Sequence, residues 1–203
     1  FKILSKELLA PNIYRMDIEA PRVAQSAKPG QFIILRLDEK GERVPLTIAD
    51  YDAAKGSVTI VIQTVGYSTG KLCELNPGDM IADFAGPLGQ PSEFVHDSPG
   101  ELSRKRILFV AGGVGTAPVY PQVKWLSEHG IKADVIIGAR SALFAPTERL
   151  GLIIIDEEHD GAYKSDTSPK YHARETAEYR AQMENARLVM GSATPSLEAY
   201  TKA

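Results

Sequence analysis

The chain has 203 residues, 43% of them hydrophobic and 24% charged, the balance of a soluble globular protein with room for one large domain or two small ones. Its formal net charge of −3 leaves no basic footprint and argues against DNA as a partner. No apolar run reaches the roughly 18 residues of a membrane span and the first residues lack signal-peptide character, so a cytoplasmic protein with no membrane partner is expected.

Cys73 is the only cysteine, which excludes an intrachain disulfide, a paired-cysteine zinc site and a cysteine-ligated iron–sulfur cluster within this chain. Its neighbours, Lys71-Leu72-Cys73-Glu74-Leu75, read as helix with one apolar face, so Cys73 is expected to fill core.

From Phe1 to about Gly86 short alternating segments follow one another: Ile13–Ile18, Gln31–Leu37, Val44–Ile48, Ser57–Gln63 and Asp79–Phe84. Turn sequences separate them, among them Lys28-Pro29-Gly30, Glu39-Lys40-Gly41 and Asn76-Pro77-Gly78. This spacing predicts a small antiparallel barrel or sandwich, whose closure would hide its edge strands. Gly86–Pro91 reads as a linker and the polar Ser92–Lys105 as a surface loop.

Beyond the loop the period changes. Arg106–Ala111 is a nearly continuous apolar run, as in a strand buried on both faces of a parallel sheet. A glycine turn, a helical stretch Ala117–His129 ending at Gly130, and a second buried run Ala133–Ile137 complete one βαβ unit. Leu150–Ile155, the helical His172–Glu184 and the short strand Arg187–Met190 continue the same rhythm.

Three motifs carry chemistry in the first two-thirds of the chain. Arg43-Val44-Pro45-Leu46-Thr47-Ile48 lies on a barrel strand, where an arginine can meet a phosphate, an apolar side chain can lie along a flat ring and a hydroxyl can reach a ring nitrogen. An ordinary edge strand has the same look. Val65-Gly66-Tyr67-Ser68-Thr69-Gly70-Lys71 offers glycines, hydroxyls and backbone N–H groups at a helix start, which suits a pyrophosphate. The spacing of a nucleotide-triphosphate P-loop is not met there, because Leu72 stands where its hydroxyl residue is needed. Gly112-Gly113-Val114-Gly115-Thr116-Ala117-Pro118 sits between a buried strand and a helix, the setting of a dinucleotide-binding turn.

In this order and spacing the three motifs resemble the ferredoxin-NADP reductase superfamily over about residues 1–141, in particular the FAD-binding small subunits of NADH-dependent reduced ferredoxin:NADP oxidoreductase (the sulfide dehydrogenase type). The resemblance implies FAD, with Arg43 on its phosphate, Pro45, Leu46 and Thr47 along the isoalloxazine, Thr47 near its N5, and Gly66, Ser68 and Thr69 on the pyrophosphate. It further implies NAD(P) at Gly113, Gly115 and Thr116, with Arg140 and Ser141 near the adenosine ribose, and an iron–sulfur electron-transfer subunit as partner. For Arg140, a solvated charge at a strand end is the plainer reading. The family's later cysteine-glycine turn near the nicotinamide and its C-terminal cluster cysteines are absent from residues 1–203, so hydride exchange and onward electron transfer are expected to be impaired.

A second set of motifs follows. Ile155-Asp156-Glu157-Glu158-His159 places carboxylates after an apolar strand, where they hold magnesium-nucleotide or line a solvated loop. Gly191-Ser192-Ala193-Thr194-Pro195 stands at the next strand end. With Arg140–Pro146 and Lys170–Arg174, these residues resemble the primosomal replication-restart helicase of superfamily 2 over about residues 138–203. That resemblance maps magnesium and the attacking water to Asp156 and Glu157. The Walker A strand and loop that should precede them are not there, which leaves a γ-phosphate without its stabiliser, so ATP hydrolysis is not expected. No resident metal is expected either.

Ile137-Gly138-Ala139-Arg140-Ser141 is common to both families and ends a parallel strand in each, so a join there keeps the strand register. The chain therefore reads as a chimera. Its expected fold is an antiparallel Greek-key β-barrel of the FAD-binding type (1–98), followed by an α/β parallel-sheet Rossmann-like domain (99–203) whose reductase-like half (99–141) is completed by helicase-type βα units (142–203). The expected function is an FAD-dependent NAD(P)H electron-transfer module. A non-catalytic hybrid scaffold and an ATP- or DNA-binding helicase fragment are the alternatives.

Overall fold

In the computed structural model, residues 1–105, 107–137, 143–144, 150, 152–156, 163–164 and 170–191 are described, without the side chains of residues 108, 110, 136, 152, 154, 156 and 189. The chain divides into two compact units, residues 1–97 with 116–125, and residues 98–115 with 126–203.

The first unit is a six-stranded antiparallel sheet, built from β1 (Ile3–Ala10), β2 (Ile13–Glu19), β3 (Phe32–Arg36), β4 (Val44–Asp52), β5 (Ser57–Gln63) and β6 (Asp83–Leu88). Its strand order is β1-β2-β5-β4-β3-β6. The hairpin-linked β3, β4 and β5 lie side by side and β2 returns beside β5, which is Greek-key connectivity. The sheet curls until its ends meet. Lys2 bridges Met80 antiparallel, Ile3 N donates to Asp79 O at 2.9 Å, and Gly78 N donates to Ile3 O at 2.8 Å. This seam gives the first strand a second partner at its start and makes the sheet a barrel.

Alternation fills the interior. Ile3, Met16, Ile18, Ile33, Leu35, Val58, Ile60 and Leu72 are wholly buried, and Ile48, Ile62 and Ile81 nearly so. Cys73 joins this core as a buried free thiol, as its apolar helix face predicted. Two short helices complete the unit. α1 (Pro21–Ser26) starts on a proline and buries Val23 and Ala24, and α2 (Tyr67–Glu74) buries Leu72 and Cys73.

Two strands differ from the sequence expectation. β1 went unread because its apolar residues do not alternate; Leu4, Leu8 and Leu9 are exposed and only Ile3 is fully buried. The strand expected at Asp79–Phe84 begins at Asp83, because Asp79–Ile81 belong to the seam. Gly86, Pro87 and Leu88, expected in a linker, belong to β6. A Cβ at Gly86 would stand 2.7 Å from Ile33 Cγ2, so packing against β3 asks for glycine there.

In the second unit β7 (Ile107–Ala111) pairs parallel with β8 (Ala133–Ile137), in register from Ile107↔Ala133 to Ala111↔Ile137. β9 (Leu152–Asp156) pairs parallel with β10 (Arg187–Gly191), from Arg187↔Leu152 to Gly191↔Asp156. β7 and β9 are neighbours. The surface loop expected at Ser92–Lys105 holds α3 (Pro99–Leu102), capped by a reciprocal Ser98–Glu101 box and anchored by buried Leu102. α4 (Thr116–Glu128) links β7 to β8, and its first ten residues group with the barrel unit. α5 (Ala173–Glu184) links β9 to β10 and buries Ala173, Ala177 and Ala181 against Ile153, Ile155, Leu143 and Leu150.

Candidate functional site

The Arg43–Thr47 segment enters β4 with the two-residue period of a strand. Arg43, Pro45 and Thr47 are exposed, while Val44 and Leu46 pack against the barrel core and Ile48 is buried. The outward face thus carries a guanidinium, a ring and a hydroxyl in a row; Leu46 lies on the opposite face. Arg43 has no hydrogen-bond or ion-pair partner among the described residues.

The second motif opens α2. Gly66 is its N-cap, and the Thr69 hydroxyl accepts from the backbone N–H groups of Val65 (3.1 Å) and Gly66 (3.0 Å) while donating to Gly66 O (3.1 Å). Gly66 has extended backbone, which any residue adopts, and nothing lies within 4 Å of a Cβ built there. Neither conformation nor internal packing requires glycine, so the open space above its backbone is available for close approach of a ligand. Val65 and Tyr67, on either side, are exposed.

The structure brings these two motifs together. Ser68 Oγ donates to the carboxylate of Glu42, the residue before Arg43, so the α2 start and the β4 start adjoin. The positive end of a helix thus lies next to the segment that carries Arg43, while the Val65 and Gly66 N–H groups are taken up by Thr69 Oγ1. Sequence reading found both segments and missed Glu42, whose part in the site shows only through a contact across 26 residues.

Arg43 also lines a groove of about 310 Å³. Arg36, on β3, stands opposite Asp83 of β6, and both line the groove together with Arg43. Arg36 Nε and Nη2 both reach Asp83 Oδ2, at 2.6 and 2.5 Å, and Nη1 donates to Glu39 O at 3.1 Å. Phe84 and Ala85 also line the groove.

At the third motif Gly113–Gly115 form a single 3₁₀ turn, with Gly115 N donating to Gly112 O, and Thr116 begins α4. Gly113 has φ +56, the left-handed region that favours glycine, and open space surrounds the Cβ positions of Gly113 and Gly115. α4 is held to the barrel by Lys124, whose Nζ lies 2.7 Å from Asp50 Oδ1 and 3.3 Å from Tyr51 O. Trp125 packs against Phe94, the rings tilted by 50° with centroids 5.6 Å apart.

Arg140, Ser141, Glu157 and Ser192–Thr194 lie outside the described residues. Asp156 ends β9 and is the register partner of Gly191, so the Asp156-Glu157 and Gly191-Ser192 motifs start side by side at the carboxyl ends of neighbouring parallel strands. No cluster of metal-binding side chains occurs among the described residues.

No family model matches the chain. An uncharacterized Clostridium beijerinckii protein from the adh 3′ region is 67% identical over 141 residues, 70% of this chain and 48% of its own. The Thermotoga maritima homolog of the dihydroorotate dehydrogenase B (NAD(+)) electron transfer subunit is 38% identical over 77% of this chain and 50% of its own. Replication restart protein PriA of Chlamydia muridarum is 61% identical over 71 residues, 34% of this chain and 9% of its own. Residues 1–141 resemble the reductase family and residues 138–203 resemble PriA.

Stretches covering 77% and 34% of one chain must overlap. The chain spans about half the length of the Clostridium beijerinckii and Thermotoga maritima relatives. Among solved structures, an NADH-dependent reduced ferredoxin-NADP oxidoreductase superposes with a TM-score of 0.61 at 40% identity, over 68% of this chain and 48% of its own. The ferredoxin reductase of carbazole 1,9a-dioxygenase superposes over 94% of this chain with a TM-score of 0.62 at 13% identity, a likeness of fold.

Proposed function

We propose that this chain is an FAD-binding electron-transfer module of the ferredoxin-NADP reductase type, exchanging electrons between NAD(P)H and an iron–sulfur partner subunit, with its pyridine-nucleotide side impaired by the join. The observation that supports this reading is the Ser68–Glu42 hydrogen bond, which brings the start of α2 next to the segment that carries Arg43. These residues fit the group: Arg43, Gly66, Ser68 and Thr69 would hold the diphosphate, and Pro45 and Thr47, exposed on the same face as Arg43, would meet the isoalloxazine. Bound FAD supplies hydride and single-electron transfer, which no side chain of this chain offers.

The barrel domain of this reading is residues 1–98 and the nucleotide-binding domain residues 99–203, its four parallel strands forming one Rossmann-like sheet in which β9 continues from β7. NAD(P) would approach the Gly113–Thr116 turn. Arg140 and Ser141 belong to its adenosine side. The cytoplasm is the proposed compartment, and DNA and membranes are not among the proposed partners.

Purified protein incubated with excess FAD and desalted is expected to show flavin absorbance that Arg43→Ala largely removes, and to bleach on addition of NADPH or NADH. A colourless wild-type protein would sink the reading. A second reading, a non-catalytic hybrid scaffold, is favoured by the Asp156–Gly191 register, because two helicase motifs meet there without a Walker A segment. Flavin absorbance without diaphorase activity would favour it. Magnesium-nucleotide binding lost in Asp156→Ala would instead favour the helicase-fragment reading.

A further inference from the structure

β8 stands at an edge. Among the described residues it pairs with β7 on one side, from Ile107↔Ala133 to Ala111↔Ile137, and with no strand on the other. Parallel strands are ordinarily covered on both faces. Yet Val135 is 41% exposed and Ile137 69% exposed, while their register partners Phe109 and Ala111 are buried. An apolar edge strand is a template for pairing with another chain. We propose that the outer edge of β8 pairs antiparallel with β8 of a second copy of this chain, about a two-fold axis at Ala133 that sets Lys132 of each copy opposite Asp134 of the other. The inference is independent of the flavoprotein reading.

The charges along the edge select this occupant and this register. A two-fold axis between antiparallel copies of one strand passes midway between a residue and its own copy, so positions equally far on either side of that residue meet. With the axis at Ala133, the exposed Lys132 and Asp134 form two opposite-charge pairs. Val135 then falls opposite Ile131, and Ile137 lies at the end of the paired stretch. With the axis at Asp134, the two carboxylates would face each other. With the axis at Val135 they become diagonal neighbours, and Lys132 falls opposite Gly138, which carries no counter-charge. A two-fold pairing occupies the edge in both copies and so ends assembly at the dimer. One strand from each copy makes a contact below the ~1,200 Å² of a standard interface, so the dimer is expected to exchange with monomer.

Sedimentation velocity of the full chain, over a concentration series at low and high salt, tests the assignment, with circular dichroism reporting whether each variant is folded. Wild type is expected to show a monomer–dimer equilibrium that salt shifts towards monomer. Lys132→Glu and Asp134→Lys each set like charges opposite one another and are expected to weaken the dimer about tenfold. The variant carrying both changes restores opposite charges and is expected to recover wild-type dimerisation. Asp134→Asn, expected to weaken the dimer about two- to threefold, reads the same pair should the lysine disturb the strand. A wild type that stays monomeric, species that grow beyond the dimer, or a dimer indifferent to the single changes would overturn the assignment. Failure of the folded double variant to recover would overturn it as well.

Discussion

Ser68, at the start of α2, donates its hydroxyl hydrogen bond to the carboxylate of Glu42, one residue before Arg43. A carboxylate therefore stands in the surface assigned to the flavin diphosphate, where like charge opposes binding. Glu42→Gln keeps an acceptor for Ser68 and removes the charge. It is expected to tighten FAD binding by roughly two- to fivefold at low salt, in line with the ~0.3–1 kcal/mol of a surface charge near a helix N-terminus. The effect is expected to shrink at high ionic strength. Fluorescence titration at two salt concentrations reads both; unchanged affinity would separate Glu42 from the diphosphate site.

Asp17 gives the barrel an acid-sensitive contact. Burial on its own would raise this carboxyl, but hydrogen bonds from Ser5 and Thr59, each 2.6 Å, and the charge of Arg15 hold it below its ordinary value of 3.8. A depressed folded-state value means stability that is present above the unfolded value and lost as pH falls through the folded one. Wild type is thus expected to lose stability as pH falls below about 4, and Asp17→Asn to lose less over that interval. Urea midpoints at pH 3 and pH 6, compared between the two, give the answer.

Lys124 ties α4 to β4, contacting Asp50 and the Tyr51 carbonyl and lying 5.8 Å from the centroid of the Tyr51 ring. With one-third of the lysine side chain exposed, the pair is screened and modest in worth. Lys124→Met is expected to lower stability by about 0.5–1 kcal/mol, seen as a small fall in Tm.

Ile60 is fully buried in β5 and pairs with Met16 on one side and Ile48 on the other. Ile60→Ala is expected to cost about 2–5 kcal/mol through lost burial and the cavity left behind. A shift in the urea midpoint without a change in slope is the expected signature.

Legibility followed local signal. β5 and β8 were read to the residue and α4 within one, because continuous apolar runs and a helix bounded by a glycine turn and Gly130 declare themselves locally. β1 carries its apolar residues outward and is defined by pairing with β2, which no local pattern records. Gly86 punctuated the sequence like a linker, yet its need for glycine comes from Ile33 on another strand. At the candidate site the residue types were visible while their meeting was not. Arg43 and Gly66 could each be singled out alone, whereas the contact of Glu42 with Ser68 and the pairing of Arg36 with Asp83 exist only once the chain is folded.

The seam that joins Phe1–Ile3 to Gly78–Ile81 makes assembly of the barrel a late event. The Phe1 amino group and Ile81 O are 80 positions apart, so their contact closes a loop that takes in almost the whole unit and carries a correspondingly large entropy cost. Every other strand pairing can form while the seam is open. During synthesis Phe1–Ile3 must therefore wait, unpaired on that side, until the segment before β6 has emerged.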